Sequence, residues 1–368
     1  MCRLTLMKFG LHYQLSCGRD QSPMRRYADT IAQAVYGERL GFESVWPAEP
    51  HFAPESSIRP SPLLLLSAIA ARTSTLRLGT GVVLLPLAHP LRVAEDFATL
   101  DVLSAGRAEC GIGRGMDPIH FVGNGGAASA SAARLEEGVD LLRQAFTGTK
   151  FSFAGRYHQI DNAVLAPAPI QRPHPPIRLA ANSTETMRLA GRLGLPILVG
   201  LHVNTLTGLR DMLPAYREAQ REARVARQPD DITVLAPVFT AASTDEIRRA
   251  VTPGVMFLKA ALENKIGTRT AALATGPETE AERARLERIA RDVHALDFDS
   301  MADGRAIFDT PDGCLDRLRQ LQTVLGAGRV VGWFNIGGLL PHRCVLSAME
   351  SFAINVMPRT SRALQFVK

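Results

Sequence analysis

LRLGTGVVLLPLAHPLRVAEDFATLDVLSAGRAECGIGRG, residues Leu76 to Gly115, is the stretch that decides the fold. Leu76 to Leu85 is an apolar run broken by glycines and reads as a strand buried on both faces. Pro90 opens a helix that closes near Ser104-Ala105-Gly106, and Arg107 to Gly113 is a second short strand running into Arg114-Gly115. Strand, helix and strand at this spacing form a βαβ unit, which requires a parallel sheet and a right-handed crossover. Both strands then end on one edge of that sheet, with Thr80, Gly81 and Val82 beside Gly113 and Arg114. Backbone bared by glycines next to an arginine suits a flat, polar-edged, anionic cofactor.

The same alternation runs outward in both directions. Lys8 to Leu15 reads as a strand and Met24 to Leu40 as an amphipathic helix stopped by Gly41. Ser44-Val45-Trp46 starts a strand that breaks at Pro47, and Pro62 to Arg72 is helical. Downstream, strands are predicted at Ile177 to Ala181, Pro196 to Gly200, Ile232 to Ala241 and Arg329 to Ile336. Helices are predicted at Ala130 to Phe146, Glu185 to Leu193, Leu206 to Arg227, from Ser243, and at Pro341 to Val356. That makes about eight strand–helix pairs, the count of a TIM (β/α)8 barrel, whose functional residues follow the strands. A doubly wound open sheet is the alternative; it requires fewer strands and a true dinucleotide fingerprint. GIGRGM gives GxGxG and then Met116, so that fingerprint is missing. Residues 149–176, rich in Pro and aromatics, read as a hairpin insertion followed by an extended linker. Residues 262–303 begin small and polar and end as a charged helix, which predicts a mobile lid.

Composition fits a single barrel domain spanning 1–368. Hydrophobic residues make up 46% and charged residues 21%, ample for a large core. No apolar run reaches the roughly 18 residues of a membrane-spanning helix. The opening lacks a signal-peptide core, and Met7, where the first strand begins, is a candidate initiator. Five scattered cysteines show no CxxC and no metal-ligand spacing with histidine, so reduced thiols in the cytoplasm and no metal are expected. A net charge of +6 without a basic block is weak support for nucleic acid and compatible with an anionic cofactor.

The long stretch above, with SVWPAEPHF upstream and LAANSTETMRLAGRLGLPILVG downstream, resembles the bacterial luciferase-like flavin monooxygenases. The closing TPDGCLDRLRQL and FNIGGLLPHRCVLSAMESFAINVMP are similar to that family's ending, so the resemblance covers nearly the whole chain. It implies a TIM barrel, usually a homodimer, that binds reduced FMN delivered by a separate flavin reductase and activates oxygen. Some relatives use a deazaflavin and transfer hydride instead.

Each candidate residue has a chemical reading and a plainer one. Asn182, Ser183 and Thr186 lie between a strand and a helix start, where hydroxyls and free N–H groups suit a phosphate; the plainer reading is N-capping by Ser183. The resemblance implies that these three form the phosphate-binding stretch, with Asn182 where an acidic residue is frequent. Arg114 suits the phosphate or the negative charge of a reduced flavin, or is a turn arginine on the surface. The resemblance implies a cis peptide at Gly81–Val82 under the flavin ring, flanked by Thr80 and Gly113; a trans strand with a bulge is the alternative. Luciferase-like relatives carry Glu-His-His after the second strand, the first His acting as base. Here the segment is Glu49-Pro50-His51, so a proline holds the base position, and His51 or Glu49 is left to move the proton. His12 and Tyr13 end the first strand and His202 follows the sixth, all toward the pocket of a barrel, while His89 caps or packs.

Three functions compete. The first is a two-component monooxygenase acting on a small organic substrate with reduced FMN and oxygen. The second is a deazaflavin-dependent hydride-transfer enzyme, and the third a flavin-binding barrel without monooxygenase activity. The substrate carries no sequence motif.

Overall fold

Apolar runs in the sequence become strands buried on both faces, as a parallel sheet wrapped in helices requires. The computed structural model describes residues 6–18, 21–52, 57–58, 60–115, 119–122, 130–226, 231–273 and 280–362. Its strands are β1 (Lys8–Tyr13), β2 (Ser44–Pro47), β3 (Arg77–Gly79), β4 (Val83–Leu84), β5 (Ala108–Gly113), β6 (Phe151–Ala154) and β7 (Gln159–Ala163). They continue with β8 (Ile177–Ala180), β9 (Ile197–Gly200), β10 (Ile232–Phe239), β11 (Ile307–Phe308) and β12 (Arg329–Trp333). Parallel pairing runs β1-β2-β3-β5-β8-β9-β10-β12 and closes back from β12 to β1. Closure makes this an eight-stranded TIM barrel and excludes the open doubly wound sheet. β11 pairs with the far end of β10 outside that ring.

The outer layer consists of α1 (Pro23–Arg39), α2 (Pro62–Ala70), α3 (Pro90–Leu103), α4 (Ile119–Val122), α5 (Ser131–Phe146), α6 (Thr184–Arg192) and α7 (Leu206–Glu222). It continues with α8 (Thr244–Leu273), α9 (Glu280–His294), α10 (Phe298–Gly304), α11 (Pro311–Leu325), α12 (His342–Asn355) and α13 (Met357–Arg362). Local chemistry sets several helix starts. Ser22, His89 and Thr310 cap α1, α3 and α11 through their side chains, each followed by a proline at the start of its helix. His89 therefore has the capping role expected of it.

Three expectations are refined. The single strand expected over Leu76 to Leu85 is split into β3 and β4 by a break at Thr80–Val82. The hairpin insertion is present as the antiparallel pair β6–β7, fastened to α5 by Glu137, which accepts from the N–H groups of Arg156, Tyr157 and His158. The expected lid is helical through Leu273 as a continuation of α8, and its later part forms α9 and α10. Residues 274–279, the remainder of that segment, lie outside the described residues. Cys17, Cys110, Cys314 and Cys344 are free, and no group of metal-ligating side chains occurs among the described residues. No helix of the described residues is long and apolar enough to cross a membrane.

Alternate strand residues point into the barrel and fill it in layers. The floor, at the strand starts, is ionic: Glu109 of β5 lies between Arg77 of β3, Arg178 of β8 and Arg329 of β12. Trp46, Leu198, Leu235 and Val331 pack above it. Glycines admit the Trp46 indole, because a Cβ on Gly79 would stand 2.4 Å from its ring. At the strand ends His12 and Trp333 follow, with their rings edge to face.

Candidate functional site

The upper barrel is built asymmetrically. β1, β2, β10 and β12 contribute large side chains, whereas β3 with the break that follows it, β5 and β8 contribute Gly79, Gly81, Gly111, Gly113 and Ala180. Gly111 is fixed by close approach: a Cβ there would stand 1.8 Å from the Thr80 carbonyl oxygen. Thr80 is fully buried, and its hydroxyl donates to the Gly111 carbonyl at 2.6 Å. The peptide between Gly81 and Val82 is cis. The Gly81 N–H donates to the Pro47 carbonyl at 2.8 Å, and Val82 packs on the barrel cluster beside Gly113. Thr80, Gly81, Val82 and Gly113 thus form one small-residue wall, as their spacing in the sequence suggested.

Arg114 leaves the end of that wall and reaches the start of α6. Its Nη1 donates to Glu185 Oε2 at 3.1 Å. Ser183 caps α6 in a reciprocal box with Thr186, their hydroxyl oxygens 3.0 Å apart. Ser183 is thus the N-cap, and Arg114 stands at the start of the same helix. Asn182 behaves differently. Its Oδ1 accepts from the Gly200 N–H at 2.8 Å and from Asn204 Nδ2 at 3.3 Å, which ties β8 to β9.

On the neighbouring loop, Glu49 joins two elements. One carboxylate oxygen accepts from the Leu84 N–H of β4 at 2.9 Å, and the other lies 2.8 Å from His51 Nε2. That carboxylate selects the tautomer of His51 with the proton on Nε2 and leaves Nδ1 as the acceptor. Pro50 only spans the turn between them. His120 of α4 is buried edge-on to His51, with ring centroids 5.9 Å apart. His12 sits 3.6 Å, at Nδ1, from where a Cβ of Gly81 would be, next to the cis peptide. The Tyr13 phenol, one residue on, belongs to the packing of the main core, where burial pushes its pKa up.

His202 packs its ring edge-on to Trp333, opposite His12. Its ring lies back over Gly200, and its Nδ1 is buried without a hydrogen-bond partner among the described residues. Burial, and then the nearby Arg305 charge, lower its pKa to about 4, so the imidazole is neutral at ordinary pH. Trp333, His120, Glu185 and the ionic floor were missed in the sequence. The floor had a signal: a charged residue at the first or second position of four otherwise apolar strands.

With the geometry in place, the comparisons are decisive on family. The chain matches the luciferase-like monooxygenases over residues 7–327. It belongs to that family. An uncharacterised protein of Sinorhizobium fredii (strain NBRC 101917 / NGR234) is 45% identical over 46% of this chain and 49% of its own length. The oxygenase component of a flavin-dependent trigonelline monooxygenase from Acinetobacter baylyi (strain ATCC 33305 / BD413 / ADP1) is 30% identical over 52% of this chain and 54% of its own. An F420-dependent glucose-6-phosphate dehydrogenase of Nakamurella multipartita is 29% identical over 78% of this chain and 80% of its own. The matched stretch spans about half the length of the first of these curated relatives. Among solved structures, a monooxygenase of Streptomyces bottropensis superposes with a TM-score of 0.82 at 25% identity, covering 96% of this chain and 99% of its own. The FMN complex of the oxygenating constituent of 3,6-diketocamphane monooxygenase from Pseudomonas putida shares the fold, with a TM-score of 0.79 at 21% identity over 96% and 99% of the two chains.

Proposed function

We propose that this protein is the oxygenase of a two-component flavin monooxygenase: a cytoplasmic homodimer that takes reduced FMN from a separate reductase. One observation carries the reading. A wall of glycines bearing the Gly81–Val82 cis peptide ends at a single anion site, Arg114 over the α6 N-terminus, with the Glu49–His51 pair on the adjoining loop. A flat ring needs bare backbone to lie on, and a terminal phosphate monoester needs one cationic site. FMN has both features. The trigonelline monooxygenase relative and the FMN-bound diketocamphane enzyme have names consistent with it.

When bound, reduced flavin supplies the two electrons with which one atom of O2 enters the substrate and the other leaves as water. The protein's own residues do the rest. Arg114 and the N–H groups at the start of α6 would hold the phosphate, and Thr80, Gly81, Val82 and Gly113 would support the ring. Asn182 acts indirectly by holding β8 against β9. His51, oriented by Glu49, takes or returns a proton at Nδ1, replacing the base that Pro50 cannot be. His12, Trp333 and neutral His202 wall the chamber on the side facing the glycines and exclude water from it.

Anaerobic titration with reduced FMN, reduced FAD and reduced F420 tests this directly. FMN is expected to bind tightest. Tighter F420 binding would move the protein to the hydride-transfer branch, and equal or tighter FAD binding would remove the single-phosphate argument.

A further inference from the structure

We infer that Glu185 is a built-in competitor for the anion held by Arg114 and the start of α6, and that it keeps the cofactor exchangeable. The inference rests on the flavin reading above. Glu185 is the sole acidic residue in the first turn of α6, and its carboxylate occupies Arg114 at 3.1 Å. The two partners are unequally anchored: the Arg114 side chain is 21% exposed at the strand end, the Glu185 side chain 63% exposed. The more exposed partner is thus the carboxylate. It places a negative charge against a guanidinium at a helix N-terminus, the arrangement a phosphate monoester would make there. Ser183 and Thr186 are already satisfied by each other, so Arg114 is the side chain whose pairing an arriving phosphate contests.

An arriving dianion therefore competes with Glu185 for the Arg114 guanidinium and shares the helix start with that carboxylate. Both effects oppose binding, and both act in partly screened surroundings. Together they correspond to roughly a 3- to 10-fold weakening of affinity at low salt. Riboflavin, lacking the phosphate, would not feel either. A cofactor received reduced and surrendered oxidised at each turnover benefits from such a weakened anchor.

The experiment is a set of titrations of wild-type protein, Glu185→Gln, Arg114→Ala and the double variant with FMN, riboflavin and inorganic phosphate as an FMN competitor, at low and high salt. Glu185→Gln is expected to tighten FMN about 3- to 10-fold at low salt, with a smaller gain at high salt and no change for riboflavin. Inorganic phosphate should displace FMN from the wild-type protein. In the Arg114→Ala background the Glu185→Gln gain should fall below about 2-fold. Unchanged or weaker FMN binding by Glu185→Gln overturns the inference and makes Glu185 a clamp that positions Arg114. An equal gain for riboflavin, or an undiminished gain without Arg114, overturns it too. Absence of FMN binding by the wild-type protein overturns the flavin reading itself. Glu185→Ala provides the same comparison should the glutamine variant be poorly folded.

Discussion

Replacing Glu109 by Gln keeps the shape of the barrel floor and removes the carboxylate that faces three arginines. Glu109 Oε2 lies 2.8 Å from Arg329 Nη1 and 3.2 Å from Arg178 Nε, and Oε1 contacts Arg77 Nε. The Glu109, Arg178 and Arg329 side chains are 1%, 4% and 3% exposed, so water cannot take over the screening. Breaking a buried pair from one side costs about 3–5 kcal/mol, and three partners put this site near 5. Unfolding entropy of about 2.1 cal/mol/K per residue gives about 0.8 kcal/mol/K for a chain of 368 residues. The expected drop in Tm is then about 6 °C by calorimetry. Arg77→Gln, at a 30% exposed side chain, should cost less than half as much. The pH dependence carries a second check. Burial alone would raise the Glu109 pKa, but Arg329, Arg178 and Arg77 outweigh it and hold the carboxyl well below the usual carboxylate range. A folded-state pKa below the unfolded one stabilises fully above the unfolded value, about 4.3, and the benefit is lost as pH falls toward the folded value. The gap between wild type and Glu109→Gln should stay constant between about pH 6 and 8 and shrink only below about 4.3. A Tm loss under about 2 °C, or a gap that widens on acidification, would refute the ionic account of the floor.

Other outcomes follow from the same geometry. Arg114→Ala should weaken FMN by about 1.5–3 kcal/mol through the loss of a charge-assisted contact, and an unchanged dissociation constant would leave Arg114 a surface residue. His51→Ala should slow product formation about 100- to 10,000-fold in single-turnover oxidation of bound reduced FMN, with product and hydrogen peroxide both quantified. Glu49→Gln should slow it comparably, since an amide donating to Nε2 would move the proton onto Nδ1; parent-like rates in both variants would make the pair structural. Gly111→Ala should destabilise by about 3 kcal/mol or more and weaken FMN binding, because its Cβ would meet the backbone oxygen of Thr80; a parent-like Tm would contradict that contact. The His202 imidazole should show no titration by NMR between about pH 5.5 and 8, its pKa being about 4; a midpoint near the ordinary histidine value would mean that it is open to water.

Much of this was written in local sequence. Glycines and prolines at strand and helix borders, and short continuous apolar runs, define elements through short-range sterics and burial, so the eight-fold alternation was legible without a structure. The placement of Gly81, Val82, Gly113 and Arg114 on one edge followed from the βαβ unit alone, and the loss of a base at Pro50 from a single residue type. What remained depended on which distant side chains meet. The partner of Arg114 is 71 residues away and that of Glu109 on β12 is 220 residues away. Asn182 stands among residues that suit a phosphate, and the pairing of β8 with β9 brings the Gly200 N–H to its side-chain oxygen, a contact that local sequence does not show. The break that separates β3 from β4 arises where Thr80 and Gly111 approach too closely for a Cβ. Sequence set the elements because their hydrogen bonds and steric limits are local. Tertiary structure decided the ionic floor, which needs the closed barrel, and the Glu49 bridge and the pairing of Arg114, which need neighbouring strands, because each depends on charges and dipoles brought together through space.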